Sequence, residues 1–154
     1  MGQAAGIYAR RSSYLDRYVQ LGVAANRLIS VSFPAAVGAE VDSQHPLLDR
    51  FERYLDGARD SFEDVELALT VDTLERRVLD AIRPIPYGHE RDLEAVALAT
   101  PGLDPADPDD LEKVRRLLAD NPVPVVVPDH RVRGVDGSVP AAVRGKLRRL
   151  EGLD

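Results

Sequence analysis

Apolar positions along the chain fall into short blocks whose period changes from place to place, and each change marks an element. In RYVQLGVAANRLISVSF, residues 17–33, two β-rich runs flank Ala24, Ala25 and Asn26, which predicts an antiparallel hairpin. The residues ahead of it carry no comparable pattern and are expected to be frayed. Leu47, Leu48, Phe51, Tyr54 and Leu55 then recur at helical spacing with Gly57 as the stop, which predicts one amphipathic helix. Residues 62–69, FEDVELAL, alternate apolar and acidic side chains with period two, as a half-buried strand does. Residues 1–70 therefore read as a small α+β domain.

From residue 71 the character is helical. Asp72 followed by Glu75 makes a capping-box pattern ahead of Leu74, Val78, Leu79 and Ile82, and the prolines of RPIPYG end that helix. DLEAVALAT reads as a short helix. Asp107 can cap a further one, with Pro108 at its first position and Leu111, Val114, Leu117 and Leu118 facing inward. VPVVV reads as a short buried strand, PDHRVRGVDGS as a loop, and PAAVRGKLRRLEG as a last helix interrupted only by Gly145. The expected fold class is α+β, with residues 1–70 as a hairpin, helix and strand domain and residues 71–154 as a mainly helical second domain.

Composition narrows the chemistry. At 154 residues and 44% hydrophobic content the chain can bury a core unaided, and no apolar run approaches the ~20 residues of a membrane span. No membrane partner is expected, and the expected location is the cytoplasm. With no cysteine, disulfides, thiolate metal sites and thiol nucleophiles are excluded. His45 and His89 stand isolated in expected surface turns, without a second ligand at metal spacing, so neither a metal nor another cofactor is expected. The 26 acidic residues outnumber 20 basic ones, and all the basic ones except Lys113 and Lys146 are arginine. Such an acid-rich, lysine-poor balance suits concentrated salt, a halophilic type; arginine favoured by GC-rich coding is the alternative.

VLDAIRPIPYG, NPVPVVVPDHRV and the terminal LEG occur in the order and spacing of the 6-O-alkylguanine-DNA alkyltransferases, and the chain resembles a divergent member over residues 72–153. The resemblance implies a small variable N-terminal domain on a helical domain that enters the DNA minor groove and flips an alkylated guanine into a pocket. There a cysteine in PCHRV takes the alkyl group, its thiolate generated through a water and the histidine of the motif, which a glutamate near the C-terminus orients. His130 and Glu151 hold the matching positions, and Asn121 matches an asparagine that braces the turn containing Pro128. Tyr87 and Gly88 match a segment close to DNA. The chain departs from the family at the acceptor, which is Asp129, and at the arginine finger, which is Glu112. Arg115 and Arg116 replace glycines, Leu93 replaces a tyrosine that contacts phosphate, and the pocket-lining loop is shortened to GSVPAAVRG, which predicts a closed pocket.

Asp129 admits two readings. A carboxylate can act as a nucleophile whose alkyl ester hydrolyses; Asp129, His130 and Glu151 can equally form an ion-paired brace that locks the loop and keeps His130 protonated to higher pH. The brace is favoured because the binding residues are lost along with the thiol. The candidates for DNA contact are Tyr87, Gly88, Arg115, Arg116 and Arg131, joined by Arg133, Arg144, Arg148 and Arg149 as further phosphate partners. Asp107, Asp109, Asp110, Glu112 and Asp120 crowd the same helix and would repel phosphate. The expected function is a non-catalytic, monomeric alkyltransferase-like protein of DNA repair. It would recognise alkylated guanine in double-stranded DNA without methyl transfer and flag it for a repair or regulatory protein. The alternatives are a protein-interaction module with no DNA binding and a slow hydrolytic dealkylase using Asp129.

Overall fold

The computed structural model describes residues 5–153. Its sheet runs β1 (Ala5–Ser12), β2 (Arg17–Ala24) and β3 (Arg27–Ser32), antiparallel and in that order. Ala25 and Asn26 join β2 to β3 with φ of 51° and 63°, the left-handed pair that a two-residue hairpin requires. The expected fraying is corrected for residues 5–12, which form a full strand in register from Ala5 opposite Ala24 to Ser12 opposite Arg17; residues 1–4 lie outside the described residues. The strand is hidden in the pattern because the adjacent residues Tyr8 and Ala9 are both buried, so no alternation shows. Its free edge is partly covered, since Ala9 N donates to Asp42 O at 2.9 Å and Arg10 reaches Asp49, Glu52 and the Ser43 carbonyl.

Helix α1 (Pro46–Leu55) lays Leu48, Phe51 and Tyr54 into the core. His45, expected in a surface turn, is its cap, with Nδ1 accepting from Leu47 N at 3.0 Å. Residues 62–69 do not form the expected strand. They touch β3 at one parallel bridge, where Leu28 N donates to Glu66 O at 2.9 Å and Ala68 N to Leu28 O at 3.0 Å. The pairing cannot extend because the next outward donor of that edge, Val31 N, is taken by Pro122 O at 2.8 Å.

Helices α2 (Thr73–Ile82), α3 (Leu93–Leu98), α4 (Pro108–Ala119) and α5 (Ala141–Leu150) follow, and aspartates cap α2, α3 and α4. The expected VPVVV strand is a buried turn instead. Val127 N donates back to Val123 O at 2.9 Å and Val125 takes φ of +75°, a left-handed conformation costly for a β-branched residue. Asn121 closes that turn, accepting from Val123 N at 3.0 Å and donating to Val127 O at 2.9 Å, so buried backbone groups are satisfied by a side chain where a sheet partner is lacking. A short 3₁₀ turn, Asp129–Arg131, then leads to the loop before α5, with Arg131 N bonded to the buried Pro128's carbonyl at 3.0 Å.

The apolar side chains of both halves form one continuous core, from Tyr8 and Leu21 of the sheet through Ile82 and Val114 to Leu147. Direct hydrogen bonds also cross between residues 1–70 and 71–154: Tyr14 hydroxyl to Lys146 O at 2.7 Å and Arg83 Nη2 to Val65 O at 2.7 Å. Among the described residues no helix is long and apolar enough to cross a membrane. A continuous core should unfold as one unit. Urea denaturation followed by far-ultraviolet circular dichroism and by tyrosine fluorescence is expected to give one coincident transition; two separated midpoints would contradict the shared core.

Candidate functional site

Helix α5 ends at Glu151, whose side chain is fully buried. Five donor contacts converge on its two oxygens: Arg131 Nε (2.7 Å) and Gly88 N (3.0 Å) on Oε1, and Arg131 Nη2 (2.9 Å), His130 Nε2 (2.8 Å) and the Tyr54 hydroxyl (2.5 Å) on Oε2. Burial alone would raise the pKa of this carboxyl, but the bonds from His130 and Arg131 outweigh it and hold the group well below the usual carboxylate range. Tyr54 moves up, by burial and then by the adjacent Glu151 charge, so its hydroxyl stays protonated.

His130 differs from its expected state. Burial lowers its pKa and outweighs the pull of Glu151, so the ring is neutral rather than held as a cation. With Nε2–H donating to Glu151, Nδ1 carries the lone pair, and that buried atom has no hydrogen-bond partner among the described residues.

Asp129 belongs to a second network. The residue is 0% exposed, and its Oδ2 accepts from Asn121 Nδ2 at 2.9 Å, Ser138 Oγ at 2.6 Å and Ser138 N at 3.3 Å. Oδ1 has no partner among the described residues and lies against Gly137, where a Cβ would come within 2.6 Å of it; Gly137 also has φ of +75°. Burial raises the pKa of Asp129, opposed by the bonds from Ser138 and Asn121. The expected three-residue brace is therefore corrected: among the described residues no hydrogen bond joins the Asp129 carboxylate to His130 or Glu151, and the backbone of the 3₁₀ turn carries the two networks side by side. Helix α5 fixes that turn from outside, with Arg144 Nη1 on Asp129 O at 3.2 Å and Arg148 Nη1 on His130 O at 2.9 Å.

The proposed DNA contacts divide. Arg131 is corrected: it is 3% exposed, with Nη1 on Ile85 O at 2.7 Å and the rest of the guanidinium on Glu151, so it cannot reach phosphate. Tyr87 is half-buried, donates to Leu150 O at 3.2 Å, and is covered by the Arg59 guanidinium 4.9 Å from its ring centre. Gly88, at φ of +76°, presents its N–H to Glu151. Arg144 and Arg148 are turned to the inside, whereas Arg115, Arg116, Arg133 and Arg149 lie at the surface. Arg115 is engaged with Glu112 at 3.1 Å and Gly134 O at 3.0 Å, and Lys113 pairs with Asp110 at 3.5 Å, so the outer face of α4 is of mixed charge. Among the described residues no group of three or more histidine and acidic side chains could hold a metal ion.

Sequence reasoning missed Tyr54, Gly137 and Ser138. Tyr54 reads as one more apolar position of α1, and the only available signal is a tyrosine where leucine or phenylalanine would fill the same space. Ser138 and Gly137 lie in a loop whose length alone was informative.

Residues 73–153 match the family model described as 6-O-methylguanine DNA methyltransferase, DNA binding domain. The chain is 29% identical over 106 residues (68% of each chain) to a "Probable methylated-DNA–protein-cysteine methyltransferase" of Acanthamoeba polyphaga mimivirus. It is 34% identical over 96 residues (60% of this chain and 66% of the relative) to the methylated-DNA–protein-cysteine methyltransferase of Methanopyrus kandleri. Among solved structures, Mycobacterium tuberculosis O6-methylguanine methyltransferase superposes with a TM-score of 0.72 at 21% identity, covering 97% of this chain and 92% of that one. The same protein in complex with DNA gives a TM-score of 0.71 at 21% identity, covering 96% and 92%.

Replacing Glu151 by alanine leaves Arg131 buried without its counter-charge, so Glu151→Ala is expected to lose about 3–5 kcal/mol of unfolding free energy, read from urea curves; a loss under ~1 kcal/mol would contradict its role. Asp129→Ala abandons the Asn121 and Ser138 donors and is expected to lose about 1–3 kcal/mol. Because the folded-state pKa of Asp129 lies above its ordinary 3.8, its ionisation opposes folding, and that cost fades as pH falls toward 3.8. Wild type should therefore gain stability relative to Asp129→Asn as acid is added from neutrality; an opposite slope in paired melting series would show that the carboxylate is stabilised by its surroundings.

Proposed function

This chain belongs to the 6-O-methylguanine DNA methyltransferase family, and from that premise we propose that it engages duplex DNA, alkylated guanine included, without accepting the alkyl group. The observation that carries the reading is the acceptor position itself. The chain has no cysteine, and Asp129 at that position is 0% exposed with Oδ2 surrounded by three donors. An attacking oxygen needs a free lone pair directed at an accessible electrophile. Oδ1 is unpartnered among the described residues but buried against Gly137, so Asp129 offers a substrate no approach, and the hydrolytic dealkylase, which requires an open pocket, loses its support.

DNA binding rests on the matched DNA-binding domain together with the surface arginines Arg115, Arg116, Arg133 and Arg149. Bound in this way, the chain would mark DNA and leave the chemistry of repair to another protein. A protein-interaction module on the same scaffold is the second reading. One observation favours it: on α4, Glu112 is exposed and occupies Arg115, so the helix that would face phosphate carries its own anions.

The two readings separate in one experiment. Fluorescence anisotropy with a short duplex, from about 50 mM to about 500 mM salt, is expected to show binding that weakens steeply as salt rises. The same duplex carrying a tritiated 6-O-methyl group should leave no label on the protein. Label transfer would overturn the non-catalytic reading, and absence of binding at the lowest salt would favour the interaction module.

A further inference from the structure

The donors around Asp129 make a cradle for an oxygen atom. Asn121 supplies one from the turn before the acceptor position, and Ser138 supplies two from the loop after it, its backbone N–H and its hydroxyl. All three point at one atom, and two of them, the Asn121 amide N–H and the Ser138 backbone N–H, can only donate, so the cradle favours a carboxylate, carbonyl or ether oxygen. Its present occupant comes from the chain. Gly137 closes over the other carboxylate oxygen, at a distance no side chain would permit.

This occupant cannot easily leave. Aspartate has a single methylene, so taking the carboxylate from a 0% exposed position to water requires moving the 3₁₀ turn. That turn is held by Arg144 and Arg148 on its carbonyls and by Glu151 on His130 and Arg131.

We propose that Asp129 is a specificity-determining residue: its carboxylate plugs the Asn121 and Ser138 cradle, shuts out the exocyclic oxygen of an alkylated purine, and so leaves DNA binding by this chain indifferent to 6-O-alkylation. The inference rests on the DNA-binding reading above and adds that the lesion is not what is read. Removing the plug without other change should turn an indifferent binder into a discriminating one. Asparagine at the same position keeps the plug's shape and an acceptor oxygen, so it should behave as wild type.

The test uses the full chain and its Asp129→Gly and Asp129→Asn variants, with anisotropy on duplexes that differ by one 6-O-methylguanine. Wild type and Asp129→Asn are expected to bind both duplexes within about twofold, and Asp129→Gly to prefer the methylated duplex by about tenfold. A tenfold preference by wild type, or an Asp129→Gly protein that melts cooperatively yet shows no preference, would overturn the inference.

A second measurement reads the cradle without DNA. Sodium formate, compared with sodium chloride at equal ionic strength, is expected to raise the melting temperature of Asp129→Gly saturably and to leave wild type unchanged. Equal responses of the two proteins would count against the cradle. Failure of all three proteins to bind either duplex would overturn the DNA-binding reading instead, and the formate titration would then decide the cradle alone.

Discussion

Withdrawing the Glu151 carboxylate from water costs on the order of several kcal/mol unless donors surround it, and the molecule gathers those donors from separate parts of the chain. Tyr54 arrives on α1, Gly88 on the turn after α2, and His130 and Arg131 on the 3₁₀ turn, while Glu151 itself ends α5. Each contact can form only if its segment is already in place. The carboxylate therefore acts as a register mark for the tertiary structure, tying the helix that lies on the sheet to the C-terminal half. The short cross-links from Tyr14 to α5 and from Arg83 to residues 62–65 work in the same direction.

That arrangement determines what the neighbouring position can do. A histidine that donates through Nε2 to a permanently ionised Glu151, in a site too buried to favour a second charge, keeps a bare Nδ1 lone pair. In isolation this is the geometry of a base awaiting a proton. The adjacent residue supplies none, because the Asp129 carboxylate is directed away into the Asn121 and Ser138 donors. One sequence motif thus splits into two networks with opposite facing, one bracing the fold and the other filling the place of a reacting group.

The parts of this picture that are legible in the sequence are those set by local chemistry. The caps Asp72, Asp92 and Asp107 each bond a nearby backbone N–H, and the β2–β3 hairpin follows from its turn. The parts that are not legible depend on partners far away in the chain. Arg131 resembles a phosphate ligand until Glu151, twenty residues later, is seen to claim it. VPVVV resembles a strand because buried turns and buried strands share an apolar composition, and only the Asn121 side chain, bonded at both ends of the segment, decides between them. β1 hides because burial of the neighbouring Tyr8 and Ala9 erases the period-two signal. The hydroxyl of Tyr54 is silent in any hydrophobicity pattern, although it carries the contact between α1 and Glu151.

Nitrogen-15 NMR of the His130 imidazole tests the Glu151 hub most directly, since both the charge and the tautomer of the ring follow from it. A ring that is neutral near pH 7, with the proton on Nε2 and Nδ1 unprotonated, and whose titration lies below the ordinary 6.5, is the expected result. An imidazolium at neutral pH would contradict it, because burial disfavours a second charge at this site, and so would a neutral ring with its proton on Nδ1, because Nε2 would then lack the hydrogen it donates to the ionised Glu151.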